Sequence, residues 1–260
     1  MTAPGPLHVR GEVLATKTVG AYQHLSLVVP GVGERSRPGS FLALSVGDGH
    51  LARRAFWIHR VGPMGGHRAV VEVVVEPRGP GSRELAGLPA GSTVEVTGPF
   101  GRPYALPREP ARCLLVGEGY AAASLTTLTE RLRERGCAVR LVLGGADDAR
   151  VLEPLESRRS VGQVEVALGD LTAPAVEALP DVDVVYVAAS LPVQRAVADA
   201  VSGGDVTCQV ALERPLTCAT GLCRGCPVPV LDDQGDTHVV RACVDGPVFR
   251  AERVDWEALA

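Results

Sequence analysis

Lysine is nearly missing from this chain: Lys17 is the only one among 26 basic residues, and the rest are arginine. With the abundance of Ala, Gly, Pro and Val, this is the mark of a GC-rich genome and carries no functional message. A basic excess is missing as well. The formal net charge is -4, whereas a phosphate-tracking protein carries clustered positive charge, so no nucleic-acid partner is expected. No apolar run approaches the roughly 18 residues of a membrane-spanning helix. The N-terminal MTAPGPLHVR lacks an apolar core ahead of a small-residue cleavage site, so the expectation is a cytoplasmic protein without a membrane span. Internal repeats and low-complexity tracts are absent. No Ser-His-Asp or Cys-His nucleophilic site is legible: the histidines are scattered, and His24, His50, His59, His67 and His238 read as ordinary surface or strand positions. No catalytic residue is assigned.

What is present is enough apolar material for a large core. With 260 residues and 46% hydrophobic composition, the chain predicts two domains and an appendage. From Leu7 to about Leu106 short β-rich runs alternate with Gly and Pro, among them HLSLVVP, RRAFWIHRV and AVVEVVVE. Even spacing without a helical period predicts a small antiparallel barrel. From about Ala111 the rhythm becomes strand, helix, strand. CLLVG leads through a Gly-rich turn to SLTTLTERLRERG, where Leu125, Leu128 and Leu132 share a face and Gly136 marks a stop. AVRLVLG, QVEVAL and DVVYVAA continue a parallel sheet with helices on both faces.

The segment after VTCQVALE has little periodicity but four of the seven cysteines. Cys113, Cys137 and Cys208 lie in apolar runs and read as small buried hydrophobes. Cys218, Cys223, Cys226 and Cys243 follow the spacing C-x4-C-x2-C…C, the plant-type pattern for a [2Fe-2S] centre with two thiolates per iron. Ala219, Thr220, Gly221 and Gly225 let the backbone turn its N-H groups toward sulfur, and Arg214, Arg224 and Arg241 are close in sequence to offset the cluster's charge. Zinc also accepts four cysteines, usually in two well-separated short pairs. The expected fold is therefore α+β and multidomain: an antiparallel β-barrel over 1–107, an α/β domain with a parallel sheet over 108–206 and a small C-terminal [2Fe-2S] domain over 207–260.

The wider segment, Glu213-RPLT-Cys218 to Cys243-VDGPVF, resembles the cluster domain of the electron-transfer subunit of NAD-dependent dihydroorotate dehydrogenase. That resemblance implies a ferredoxin-reductase-like FAD barrel, then a nucleotide-binding α/β domain, then the cluster. It also implies a hetero-oligomer with a dihydroorotate-dehydrogenase-like flavoprotein subunit, which binds the final substrate. Electrons would pass from NAD(P)H through FAD and the cluster, because a flavin converts a hydride's electron pair into single electrons.

On the resemblance, the flavin motif maps to Arg54, Ala55, Phe56 and Trp57, with Arg54 kept for the FAD phosphates and Trp57 replacing a serine. A Gly-rich turn into a short helix contributes Gly81 and Ser82. The strand before it carries Val74, Val75 and Glu76, and the Glu76 carboxylate is expected to repel a cofactor phosphate. The nucleotide turn maps to Gly117 and Gly119, with Glu118 between them opposing pyrophosphate and Ala121 replacing a glycine. Ala188, Ala189, Ser190 and Val193 depart from the family's nicotinamide signature. Two other readings keep the cysteines: a relay or assembly subunit that has lost NADH binding, with or without loss of FAD, and a zinc-stabilised interaction module.

Overall fold

A computed structural model describes residues 5–45, 47, 52–64, 67–161 and 163–259. His50 lies outside the described residues. Six strands, β1 Leu7–Val19, β2 Tyr22–Val28, β3 Phe41–Leu44, β4 Arg54–Met64, β5 His67–Val75 and β6 Thr93–Phe100, close a barrel in the order β1-β2-β5-β4-β3-β6. Neighbours are antiparallel throughout. The short helices α1 Val32–Arg35 and α2 Pro80–Ala86 lie beside it. These are the β-branched runs predicted from sequence, where branched side chains fit a pleated surface.

The second half is a parallel sheet of β7 Arg112–Glu118, β8 Ala138–Gly145, β9 Val164–Leu168, β10 Val184–Ala188 and β11 Thr207–Ala211. Its helices are α3 Thr126–Glu134, α4 Pro154–Val161, α5 Thr172–Glu177 and α6 Leu191–Val201. A 3-10 turn, Gly119–Leu125, precedes α3, and Leu125, Leu128 and Leu132 are buried as their spacing predicts. A hairpin of β12 Pro227–Leu231 and β13 Thr237–Arg241 follows, then α7 Ala242–Asp245, β14 Val248–Arg250 and α8 Trp256–Leu259. β14 adds to β11 antiparallel, giving the order β14-β11-β10-β7-β8-β9.

Residues 207–260 are thus woven into the second sheet at two points. A buried apolar run such as Thr207–Ala211 needs neighbours on both sides, and β10 and β14 supply them. Strand order reverses between β7 and β10, the crevice where doubly wound sheets bind ligands.

The two halves share an interface. Tyr22 on β2 donates its hydroxyl to the Arg150 carbonyl at 2.9 Å, and the 3-10 turn packs on β4 and β5. The barrel strands are consequently buried on both faces along this side, which explains why β5 shows buried Val70 and Val74 as well as Val71, Val73 and Val75.

Candidate metal centre and cofactor pocket

The cysteine loop has almost no regular structure between Leu212 and Cys226. Its order comes from hydrogen bonds to sulfur. The Cys223 amide donates to Cys218 Sγ at 3.4 Å, and the Gly225 amide to Cys223 Sγ at 3.3 Å. Cys226 and Cys243 bring their sulfurs within 3.4 Å of each other. Ala219 and Arg224 adopt φ of 61° and 54°, a left-handed conformation costing a non-glycine residue roughly 1–2 kcal/mol. Those turns aim the amides inward. Burial opposes ionisation of Cys218, but amides of Cys223 and Thr220 outweigh it and bring the thiol down to about 6.

Two anchors hold this loop. Arg241 Nη1 donates to the Gly221 carbonyl at 2.9 Å, while the Arg241 amide donates to Asp245 Oδ2 at 3.1 Å. The tail after the fourth cysteine ties the loop to both halves: the Leu212 amide donates to the Pro247 carbonyl at 2.9 Å and the Arg102 amide to the Gly246 carbonyl at 2.5 Å. The Asp245-to-Phe249 motif is therefore a fastening. Four cysteines with amides donating to their sulfurs fit an iron-sulfur cluster.

A cavity of about 330 Å³ opens beside the loop, lined by Arg54–Trp57 of β4, Tyr120, and Glu213–Thr217 leading directly into Cys218. Arg54 lies on Gly81: a Cβ there would stand 2.9 Å from the guanidinium nitrogens, so only glycine gives this approach. The Ser82 hydroxyl is engaged within the first turn of α2, accepting from the Gly79 amide at 2.9 Å. Val74 and Val75 are both buried on β5, on opposite faces of the strand, and do not line the cavity. Glu76 is paired with Arg78 at 2.6 Å, and Arg78 also reaches Glu213 at 3.4 Å and lies 5.9 Å from the Tyr120 ring centre. The repulsion expected from Glu76 is thereby neutralised locally. Arg214 Nε is buried and has no hydrogen-bond partner among the described residues.

At the switch point, Ala188 pairs in register with Gly117, so the two halves of the nucleotide motif do meet. Gly119 takes φ of 53°. Glu118 turns its carboxylate to the Ser190 amide at 2.8 Å, at the start of α6.

One constellation escaped the sequence reading. His24 and His59 are strand residues, but they are 3% and 0% exposed, and they converge with Glu72 and Glu153 between the two halves. Strand alternation alone cannot reveal this, because the burying surface comes from the second half of the chain.

Residues 213–255 match the family model described as the iron-sulfur cluster binding domain of dihydroorotate dehydrogenase B. In solved structures, a chain of an NADH-dependent reduced ferredoxin-NADP oxidoreductase superposes with a TM-score of 0.81 at 24% identity, covering 96% of this chain and 91% of that one. The dihydroorotate dehydrogenase B (NAD(+)) electron transfer subunit of Caldanaerobacter subterraneus subsp. tengcongensis is 28% identical over 230 residues, 85% of this chain and 88% of that protein. Its counterpart in Bacillus velezensis is 32% identical over 231 residues, 84% of this chain and 87% of that protein. With this identity along nearly the full length, and with the cysteine loop and its fastening intact, the chain belongs to the family of dihydroorotate dehydrogenase B electron transfer subunits.

Proposed function

We propose that this chain carries electrons between NAD(P)H and a dihydroorotate-dehydrogenase-type flavoprotein subunit, as the oxidoreductase component that does not bind the final substrate. The observation that carries the reading is the continuity of cavity and loop: Arg54–Trp57 and Glu213–Thr217 line one cavity, and the next residue is the cluster ligand Cys218. Residues 1–107 would hold FAD, 108–206 the nucleotide and 207–260 the cluster, in the cytoplasm.

Cys218, Cys223, Cys226 and Cys243 would ligate the [2Fe-2S] cluster. FAD fits the cavity on two counts: Arg54 over Gly81 offers a bidentate anion donor, and Arg214 Nε is a buried donor awaiting an acceptor. When bound, a flavin supplies the exchange of an electron pair for single electrons. Glu213–Thr217, Trp57 and Tyr120 would line the flavin's site and exclude water from it, and burial, which pushes the Tyr120 pKa up, keeps its hydroxyl protonated.

Apolar exposure supports a partner surface at the cysteine-bearing end. Among the described residues, three of the four exposed large hydrophobics fall in the cysteine-bearing segment: Leu222 and Val244 next to Cys223 and Cys243, and Val239 on β13; exposed apolar side chains gathered in one segment support an interaction site there.

A second reading, a relay subunit with weak or no NADH binding, is favoured by Glu118 occupying the start of α6. Both readings are tested on purified protein by iron, acid-labile sulfide and released flavin, followed by anaerobic NADH titration. Zinc without sulfide removes the cluster, cluster bands without flavin remove FAD, and a chromophore that NADH leaves unbleached selects the relay.

A further inference from the structure

His24 on β2, His59 on β4 and Glu72 on β5 face Glu153, which immediately precedes α4 in the other half of the molecule. One ligand atom from each lies within 4.8 Å of all the others. The cross-distances are 3.0 Å for His24 Nδ1 to Glu72 Oε1, 3.8 Å for His24 Nδ1 to Glu153 Oε1, 3.7 Å for His59 Nε2 to Glu72 Oε1, and 3.0 Å for His59 Nε2 to Glu153 Oε2. A tetrahedral zinc ion with bonds of about 2.0–2.1 Å sets its ligand atoms about 3.3–3.4 Å apart. The four contacts straddle that separation.

We infer that these four residues bind a divalent transition metal of the zinc class, stapling the barrel to the α/β half. Charge supports it. Glu72 and Glu153 are largely buried carboxylates, and Arg60, which reaches Glu153 at 2.8 Å, is also held by Glu156 at 2.6 Å. Two positive charges are therefore still called for. Protons on both histidines would place two buried cations on rings whose centres are 5.4 Å apart. One divalent ion supplies both charges at a single point with the rings neutral.

The surroundings match a ligand shell. His59 Nδ1 lies 3.2 Å from the Ala123 carbonyl, which fixes the tautomer that leaves Nε2 free to ligate, the usual outer-shell partnership of a metal histidine. Glu153 takes φ of 44°, a conformation a non-glycine residue adopts only when its surroundings dictate it. A cavity of about 40 Å³ lined by Arg60, Glu130, Glu153 and Glu156 lies against Glu153. The site is built from different residues than the cysteine loop and the Arg54 cavity, so it stands whether or not FAD and NADH bind.

The test uses the full chain with its cluster assembled, so that the cysteines are occupied. Protein is stripped with a chelator that leaves iron and sulfide unchanged, equilibrated with micromolar zinc, dialysed and analysed for metal; thermal midpoints are recorded with and without zinc. The expected result is about one zinc per chain and a raised midpoint. His59→Gln and Glu72→Gln should lose the zinc and the midpoint shift while keeping iron and sulfide. Cluster-loaded wild-type protein that retains no zinc overturns the inference, even if both variants fail to fold. Retention of zinc at wild-type stoichiometry in folded variants overturns it too.

Discussion

Glu118 Oε2 accepts a hydrogen bond from the Ser190 amide at 2.8 Å, so a carboxylate sits at the start of α6 where the two halves of the nucleotide motif meet. A helix N-terminus attracts anions, and here the chain's own side chain answers that attraction. Glu118→Gly should free the amide and remove a repelling charge. NADH affinity in an anaerobic titration should rise about tenfold, the equivalent of about 1.4 kcal/mol. Unchanged affinity would mean that the nucleotide does not approach this turn.

Gly81→Ala separates a cofactor effect from a folding effect. Alanine inside α2 favours the helix by about 1 kcal/mol, yet its Cβ would stand 2.9 Å from Arg54 nitrogens and displace the guanidinium. The expected outcome is a protein at least as stable as wild type whose Kd for FAD is about tenfold higher, on the scale of one charge-assisted contact. Equal flavin retention would detach Arg54 from the cofactor.

Cluster removal should leave Cys218 more reactive than Cys113, Cys208 and Cys243. Cys218 is held at about 6, whereas burial pushes Cys113, Cys208 and Cys243 up to about 12. Iodoacetamide at pH 7 should therefore modify Cys218 ahead of those three, since the thiolate is the nucleophile. Peptide mapping that shows Cys218 lagging would contradict the amide bonds described.

Leu222→Asp and Val239→Asp each replace an exposed apolar side chain of the cysteine-bearing segment with a charge. Binding to the catalytic subunit, measured by titration of the purified partners, should weaken by about 2 kcal/mol or more if these are central contacts. Cluster content should not change. The partner-docking reading fails if both variants bind like wild type.

The Arg112–Asp183 pair gives an acid-sensitive link between β7 and the turn before β10. The Arg112 side chain, at 2.8 Å, and its amide, at 2.7 Å, lower Asp183 from 3.8 to about 2. A carboxyl depressed on folding stabilises above its unfolded value and loses that contribution as pH falls through its folded value. Urea unfolding should show wild type more stable than Asp183→Asn at pH 6, with the gap narrowing from about pH 4 toward about pH 2. A gap independent of pH would assign the difference to packing.

What the sequence determined by itself was whatever depends on near neighbours in the chain. Strand alternation marked the barrel, the 3.6-residue spacing of Leu125, Leu128 and Leu132 marked α3, and the spacing of Cys218, Cys223 and Cys226 marked the cluster, since one short loop must deliver three thiolates. Tertiary structure alone decided the rest. Thr207–Ala211 joined the second sheet because β10 and β14 flank it. Glu76 became harmless because Arg78 pairs with it and bridges to Glu213. His24, His59, Glu72 and Glu153 became one buried cluster because the α/β half closes over the outer face of the barrel, a face that a strand pattern leaves open to water.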